Sequence, residues 1–130
     1  MDKSGNNIVI ISDEQGVVQG VAAAVAANGM AVSVVDSGPE CATALHELGP
    51  ELVVIELGGP GYDGDTAWRA RRALDERWHS EPRVVALSRL SAQETRDRAE
   101  RIGAELVLHA PFDLEQLVRH VTERSLVLAA

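Results

Sequence analysis

The sequence predicts an α/β fold, a parallel sheet covered on both faces by helices, and three observations predict it. Short runs rich in Val, Ile and Leu alternate five times with longer stretches of helical pattern. The runs are nearly continuous in apolar residues, as strands buried on both faces require. Asn28-Gly29 and Gly49-Pro50 punctuate the ends of helical stretches, where such residues stop a helix.

The elements follow in order. Asn7–Ile11 (NIVII) reads as the first strand, and residues 15–27 as an Ala-rich helix that Asn28-Gly29 stops. Residues 30–35 (MAVSVV) form the second strand, and residues 39–48 a helix ended by Gly49-Pro50. Leu52–Leu57 (LVVIEL) is the third and most hydrophobic strand. Residues 58–64 (GGPGYDG) are a loop. Residues 65–78 read as a third helix, with Ala67, Ala70, Leu74 and Trp78 on one side. Residues 83–87 are a fourth strand. Residues 91–102 are a fourth helix opening on a capping box, in which Ser91 bonds the backbone at Glu94 and Glu94 reaches back. Residues 105–108 are a fifth strand. Residues 113 to about 124 are a fifth helix, with Asp113 as N-cap and Leu114, Leu117, Val118 and Val121 as its core stripe. Residues 126–130 are apolar and uncapped, open to being a tail, a helix extension or a contact surface.

The length suits one domain, residues 1–130, with its core at about 7–124. Hydrophobic residues make up 45% and aromatics only 3%, so that core is aliphatic. A net charge of -8 argues against gripping nucleic-acid phosphates, which takes clustered Lys and Arg. The lone Cys41 excludes an internal disulfide and reads as a structural or surface thiol. The polar first seven residues lack a signal-peptide pattern, and no apolar run approaches the roughly 20 residues of a membrane span. A cytoplasmic location, with no membrane and no nucleic-acid partner, is the expectation.

In parallel α/β sheets, function gathers beyond the carboxyl ends of the strands. The residues to interrogate there are Ser12-Asp13-Glu14, Asp36, residues 56–59, Ser88 and His109-Ala110-Pro111. Residues 59–64 formally match GxGxxG, but a dinucleotide fingerprint belongs after the first strand, so a nucleotide is not expected.

Residues 50–64, P-E-L-V-V-I-E-L-G-G-P-G-Y-D-G, resemble the phosphoacceptor stretch of response-regulator receiver domains. Pro50, Pro60, Gly61, Asp63 and Gly64 fall in place. Residues 84–88 (VVALS) are similar to the family's fourth strand with its Ser or Thr, Ile102-Gly103-Ala104 to its turn, and Pro111-Phe112-Asp113 to the Pro-Phe after its lysine. The likeness runs from about residue 7 to 124. It implies a flavodoxin-like (βα)5 three-layer sandwich with strand order 2-1-3-4-5, and Ala110-Pro111 in the cis form.

The resemblance also implies a chemistry, and the sequence departs from it. A receiver uses an Asp after the third strand as acceptor, acids after the first to hold Mg²⁺, a Lys after the fifth, and a Ser or Thr after the fourth. Here the phosphoacceptor position holds Glu56, and the acidic pocket is reduced to Ser12, Asp13 and Glu14. The lysine position holds Ala110 and the aromatic switch position Val107; Ser88 alone survives among the switch residues. Glu reaches about 1 Å further than Asp, and a misplacement of that size costs on the order of 100-fold in rate. Losing the Lys removes a second charge-stabilising contact. Lys3 is the only lysine and lies outside the folded part. His109, next to Ala110 along a strand, points the other way. An arginine swung in to play the missing cation would overturn the interaction-only interpretation.

The expectation is therefore an atypical receiver acting by phosphorylation-independent protein–protein interaction, with no catalytic residue and no enzymatic activity. Glu56 either mimics aspartyl phosphate permanently or has drifted without signalling meaning. No cofactor is expected, a weak Mg²⁺ site at Asp13 and Glu56 being the alternative. The mixed charges of Arg96, Asp97, Arg98, Glu100 and Arg101 suit a solvent face. By the resemblance, the surface of fourth helix, fifth strand and fifth helix takes partner or dimer contacts. Arg69, Arg71, Arg72 and Arg77 read as a solvated face, and His46, His79 and His120 as helix-surface residues. The alternatives are a receiver still phosphoregulated through Glu56 or another acid, and a small-molecule-binding flavodoxin-like protein.

Overall fold

One five-stranded parallel sheet, in the order β2-β1-β3-β4-β5, organises the chain. A computed structural model describes residues 7–12, 15–35, 41–57, 68–69 and 83–129. The strands are β1 Asn7–Ile11, β2 Ala31–Val35, β3 Leu52–Leu57, β4 Arg83–Ser88 and β5 Leu106–His109. The described helices are α1 Gln15–Ala26, α2 Cys41–Leu48, α3 Ala92–Ile102 and α4 Leu114–Ala129. The stretches expected as fourth and fifth helices are thus α3 and α4.

Alternation along the strands divides the core in two. Ile8, Ile10, Leu52, Val54, Val85 and Leu87 face Val21 and Val25 of α1 and Leu117 and Val121 of α4. Val9, Ile11, Val53, Ile55, Val84 and Ala86 face Leu45 of α2, Ile102 of α3 and Trp68. This is the flavodoxin-like sandwich the sequence predicts. At Gly20 a Cβ would lie 3.3 Å from Leu114 Cδ1, so the missing side chain lets α1 and α4 pack closely.

Boundaries shift in places. β5 begins and ends one residue later than expected, which brings His109 into the strand opposite Ser88. α4 runs through Ala129, so the apolar tail extends the helix. Ser91 Oγ accepts the Glu94 N–H at 3.2 Å, as a capping box requires, but Glu94 returns to the Ser91 hydroxyl at 3.1 Å instead of to its backbone. Asp113 Oδ1 caps α4 through the Gln116 N–H. Ala110-Pro111 is cis, as expected. The stripe expected on the third helix (Ala67, Ala70, Leu74, Trp78) lies outside the described residues, as do Arg71, Arg72, Arg77 and His79. The buried aromatic there is Trp68, which the helical pattern passed over; Arg69 is exposed.

Near the amino-terminal ends of β4 and β5, three side chains form a staple. Arg83 grips Glu105 with Nη2 at 2.7 Å and Nε at 3.0 Å from the same oxygen, and His120 Nε2 of α4 sits 2.7 Å from it. His120 is therefore not a plain helix-surface residue. Burial alone would raise the Glu105 carboxyl, but the hydrogen bonds from Arg83 and His120 outweigh it and hold the group below its ordinary value.

Candidate functional site

The carboxyl ends of β1, β3 and β4 bring together Ser12, Glu56, Ser88 and Arg89. Glu56 falls in the register of Leu52 and Val54, opposite Leu87 of β4. Its side chain is 1% exposed. A carboxylate that deep is costly to bury unless its oxygens are satisfied. Ser12 Oγ donates to Oε1 at 2.5 Å, and Arg89 Nε donates to Oε2 at 3.3 Å. Both oxygens of the Glu56 carboxylate are thus committed within the chain.

Arg89 overturns the expectation that no cation stands in this pocket. It comes from the end of β4, not from residue 110 after β5, where the resemblance led a cation to be sought. Its guanidinium lies 5.2 Å from the centre of the Phe112 ring, a cation–π distance that joins β4 to the segment entering α4. Arg89 is 42% exposed while its partner is hidden. The strand-end rule that singled out Ser88 covers the next residue as well, but a search aimed at a lysine after β5 passes it by.

Ser88 falls in the register of Val84 and Ala86, toward α3. Its Oγ lies 2.6 Å from Thr95 Oγ1 and accepts the Leu90 N–H at 3.0 Å. Thr95 has one hydroxyl proton, and Ser91 O at 2.7 Å takes it. The Ser88 proton therefore goes to Thr95, tying the end of β4 to the first turn of α3. The sequence reading also missed Thr95. A Thr four residues after the Ser91 cap lies where its hydroxyl can bond back to that carbonyl.

The remaining expected positions are less informative. Val107 is half-buried against the α3 side of the core, and Ala110 and His109 are exposed. Asp13, Glu14, Asp36 and the 58–64 loop lie outside the described residues. So does one half of the expected Asp13–Glu56 magnesium pair. Among the described residues, no three His, Cys, Asp or Glu are grouped to hold a metal ion. No described helix is long and apolar enough to cross a membrane. Cys41 is buried, as a structural thiol is.

Comparison with known proteins agrees with this fold. The family profile described as "Response regulator receiver domain" matches residues 8–122. The chain is 27% identical over 118 residues to the transcriptional regulatory protein PrrA of Mycobacterium leprae, covering 91% of this chain and 49% of that protein. It is 26% identical over 124 residues to the DNA-binding response regulator MtrA of Mycobacterium tuberculosis, covering 95% and 52%. It thus spans about half the length of these relatives. Among solved structures, the N-terminal domain of an uncharacterized protein from Wolinella succinogenes is similar with a TM-score of 0.80, at 18% identity, over 95% of this chain and 98% of that one. The receiver domain of Francisella response regulator 1452 is similar with a TM-score of 0.76, at 20% identity, over 92% and 96%. These two likenesses show the fold.

Proposed function

This chain belongs to the response regulator receiver domain family, and from that premise we propose that it signals without phosphotransfer, by binding another protein. The observation that carries this reading is the occupied Glu56 carboxylate. A nucleophile must present an oxygen in line with the phosphoryl donor. Here one oxygen accepts from Ser12, the other from Arg89, and the side chain is 1% exposed. Freeing it means breaking the short hydrogen bond from Ser12, worth roughly 1.5–3 kcal/mol, and the longer one from Arg89 at 3.3 Å. The reading no longer rests on a missing cation. It rests on a cation already spent on the would-be acceptor.

In this reading the Glu56–Arg89 pair stands where aspartyl phosphate and lysine meet in an active receiver. It holds the domain in one state, and Mg²⁺ is not required. The partner meets the face of α3, β5 and α4, where Arg96, Asp97, Glu100 and Arg101 are exposed.

A second reading follows from the 42% exposure of Arg89: it serves as phosphoryl-binding cation for a receiver still phosphorylated on Glu56. Acetyl phosphate with Mg²⁺, followed by intact-mass measurement, separates the two. The first reading expects no adduct. A stoichiometric adduct that Glu56→Gln abolishes would establish the second. A magnesium titration followed by NMR is expected to give no site-specific change.

A further inference from the structure

We propose that the cleft between α1 and the segment entering α4 binds a small carboxylic acid with an apolar body, and that this ligand draws Arg89 away from Glu56. The cleft has a volume of about 440 Å³, within the range of small-molecule sites. Its walls include Gly16, Gly20, Ala110, Phe112 and Leu114, and Arg89 is the one charged residue among its described lining. The space exists because side chains are short there. Ala110 ends at Cβ, and a Cβ built on Gly16 would meet nothing within 4 Å.

The chemistry of the walls selects the ligand. One guanidinium over mostly apolar walls matches one carboxylate on an apolar body. A dianionic phosphate would place its second charge against described walls that hold no cation besides Arg89. An acidic protein surface would be repelled by the net charge of -8, whereas a small monoanion meets little of that field. Arg89 is also the hinge of the response. Its Nε reaches Glu56 Oε2 at 3.3 Å, longer than a strong charge-assisted bond. A carboxylate in the cleft competes for the same group.

The binding claim stands apart from the phosphorylation reading. The claim that the acid acts as the input rests on Glu56 staying unphosphorylated. The test is backbone-amide NMR of the full chain titrated with phenylbutyrate, phenylbutanol or inorganic phosphate. Phenylbutyrate is expected to shift the Gly16, Gly20 and Ala110 amides saturably, with movement at Ser12 as Glu56 is released. Phenylbutanol is expected to bind about tenfold more weakly, the loss of one charged hydrogen bond. Arg89→Met should erase that preference, and Gly16→Leu, whose Cβ meets nothing within 4 Å, should weaken both. The proposal is overturned by absence of saturable shifts, by equal affinity for acid and alcohol, by a preference that survives Arg89→Met, or by phosphate displacing the acid. Intact mass after acetyl phosphate treatment reports separately on the phosphorylation reading.

Discussion

The Ser88 hydroxyl donates to Thr95 Oγ1 across 2.6 Å, so the end of β4 is fastened to α3. Here its proton is committed and its lone pairs accept the Leu90 N–H.

Thr95→Val should therefore destabilise the fold by about 1–3 kcal/mol, because it leaves a buried hydroxyl without its acceptor. Urea unfolding should show a lower midpoint at unchanged slope. Ser88→Ala combined with Thr95→Val should lose less than the two single changes summed. Strict additivity would show that the contact carries no energy.

Arg89→Met should cost about 1–3 kcal/mol, since it leaves the Glu56 carboxylate buried with Ser12 as its remaining donor among the described residues. Adding Glu56→Gln should recover part of that loss, because the orphaned charge is gone. A double variant no more stable than Arg89→Met alone would contradict the pairing.

Acid should loosen the Arg83–Glu105–His120 staple. The folded Glu105 carboxyl sits below its ordinary value of 4.5. Its contribution is therefore full above that value and is lost as pH falls through the depressed folded one. The staple is partly exposed, so the effect is at most about 1 kcal/mol. Stability measured from pH 6 downward should fall less steeply in Glu105→Gln. Identical slopes would remove Glu105 from the account.

Restoring the family's residues should restore the chemistry. The combination Ser12→Asp, Glu56→Asp and Ala110→Lys shortens the acceptor and supplies a cation from β5. Acetyl phosphate with Mg²⁺ should then give an adduct that the parent chain does not. A triple variant that stays unmodified while folded would mean that Arg89 or the surrounding loops block the site independently.

Much of the fold was legible because its causes are local. The apolar runs of β1 and β3, the Gly29 stop, the Ser91 and Asp113 caps and the Leu117 and Val121 stripe each follow from a few neighbouring residues. The strand order and the Glu56, Ser88 and Ala110 correspondences came from the family resemblance. Trp68 was missed because the helical pattern of residues 65–78 offered a different stripe, and the end of β5 because His109 is polar yet pairs as strand.

The sequence by itself determined that residue 56 is a glutamate and that no lysine follows β5. Only the tertiary structure decided what that carboxylate does. Ser12, Glu56 and Arg89 are separated by 44 and 33 residues, and their contact depends on parallel strand register and on side-chain rotamers. The same holds for Arg83, Glu105 and His120. Periodicity and capping report which residues are buried or end an element. Which charge finds which partner is a long-range choice, made only when burial penalises every carboxylate that fails to find one.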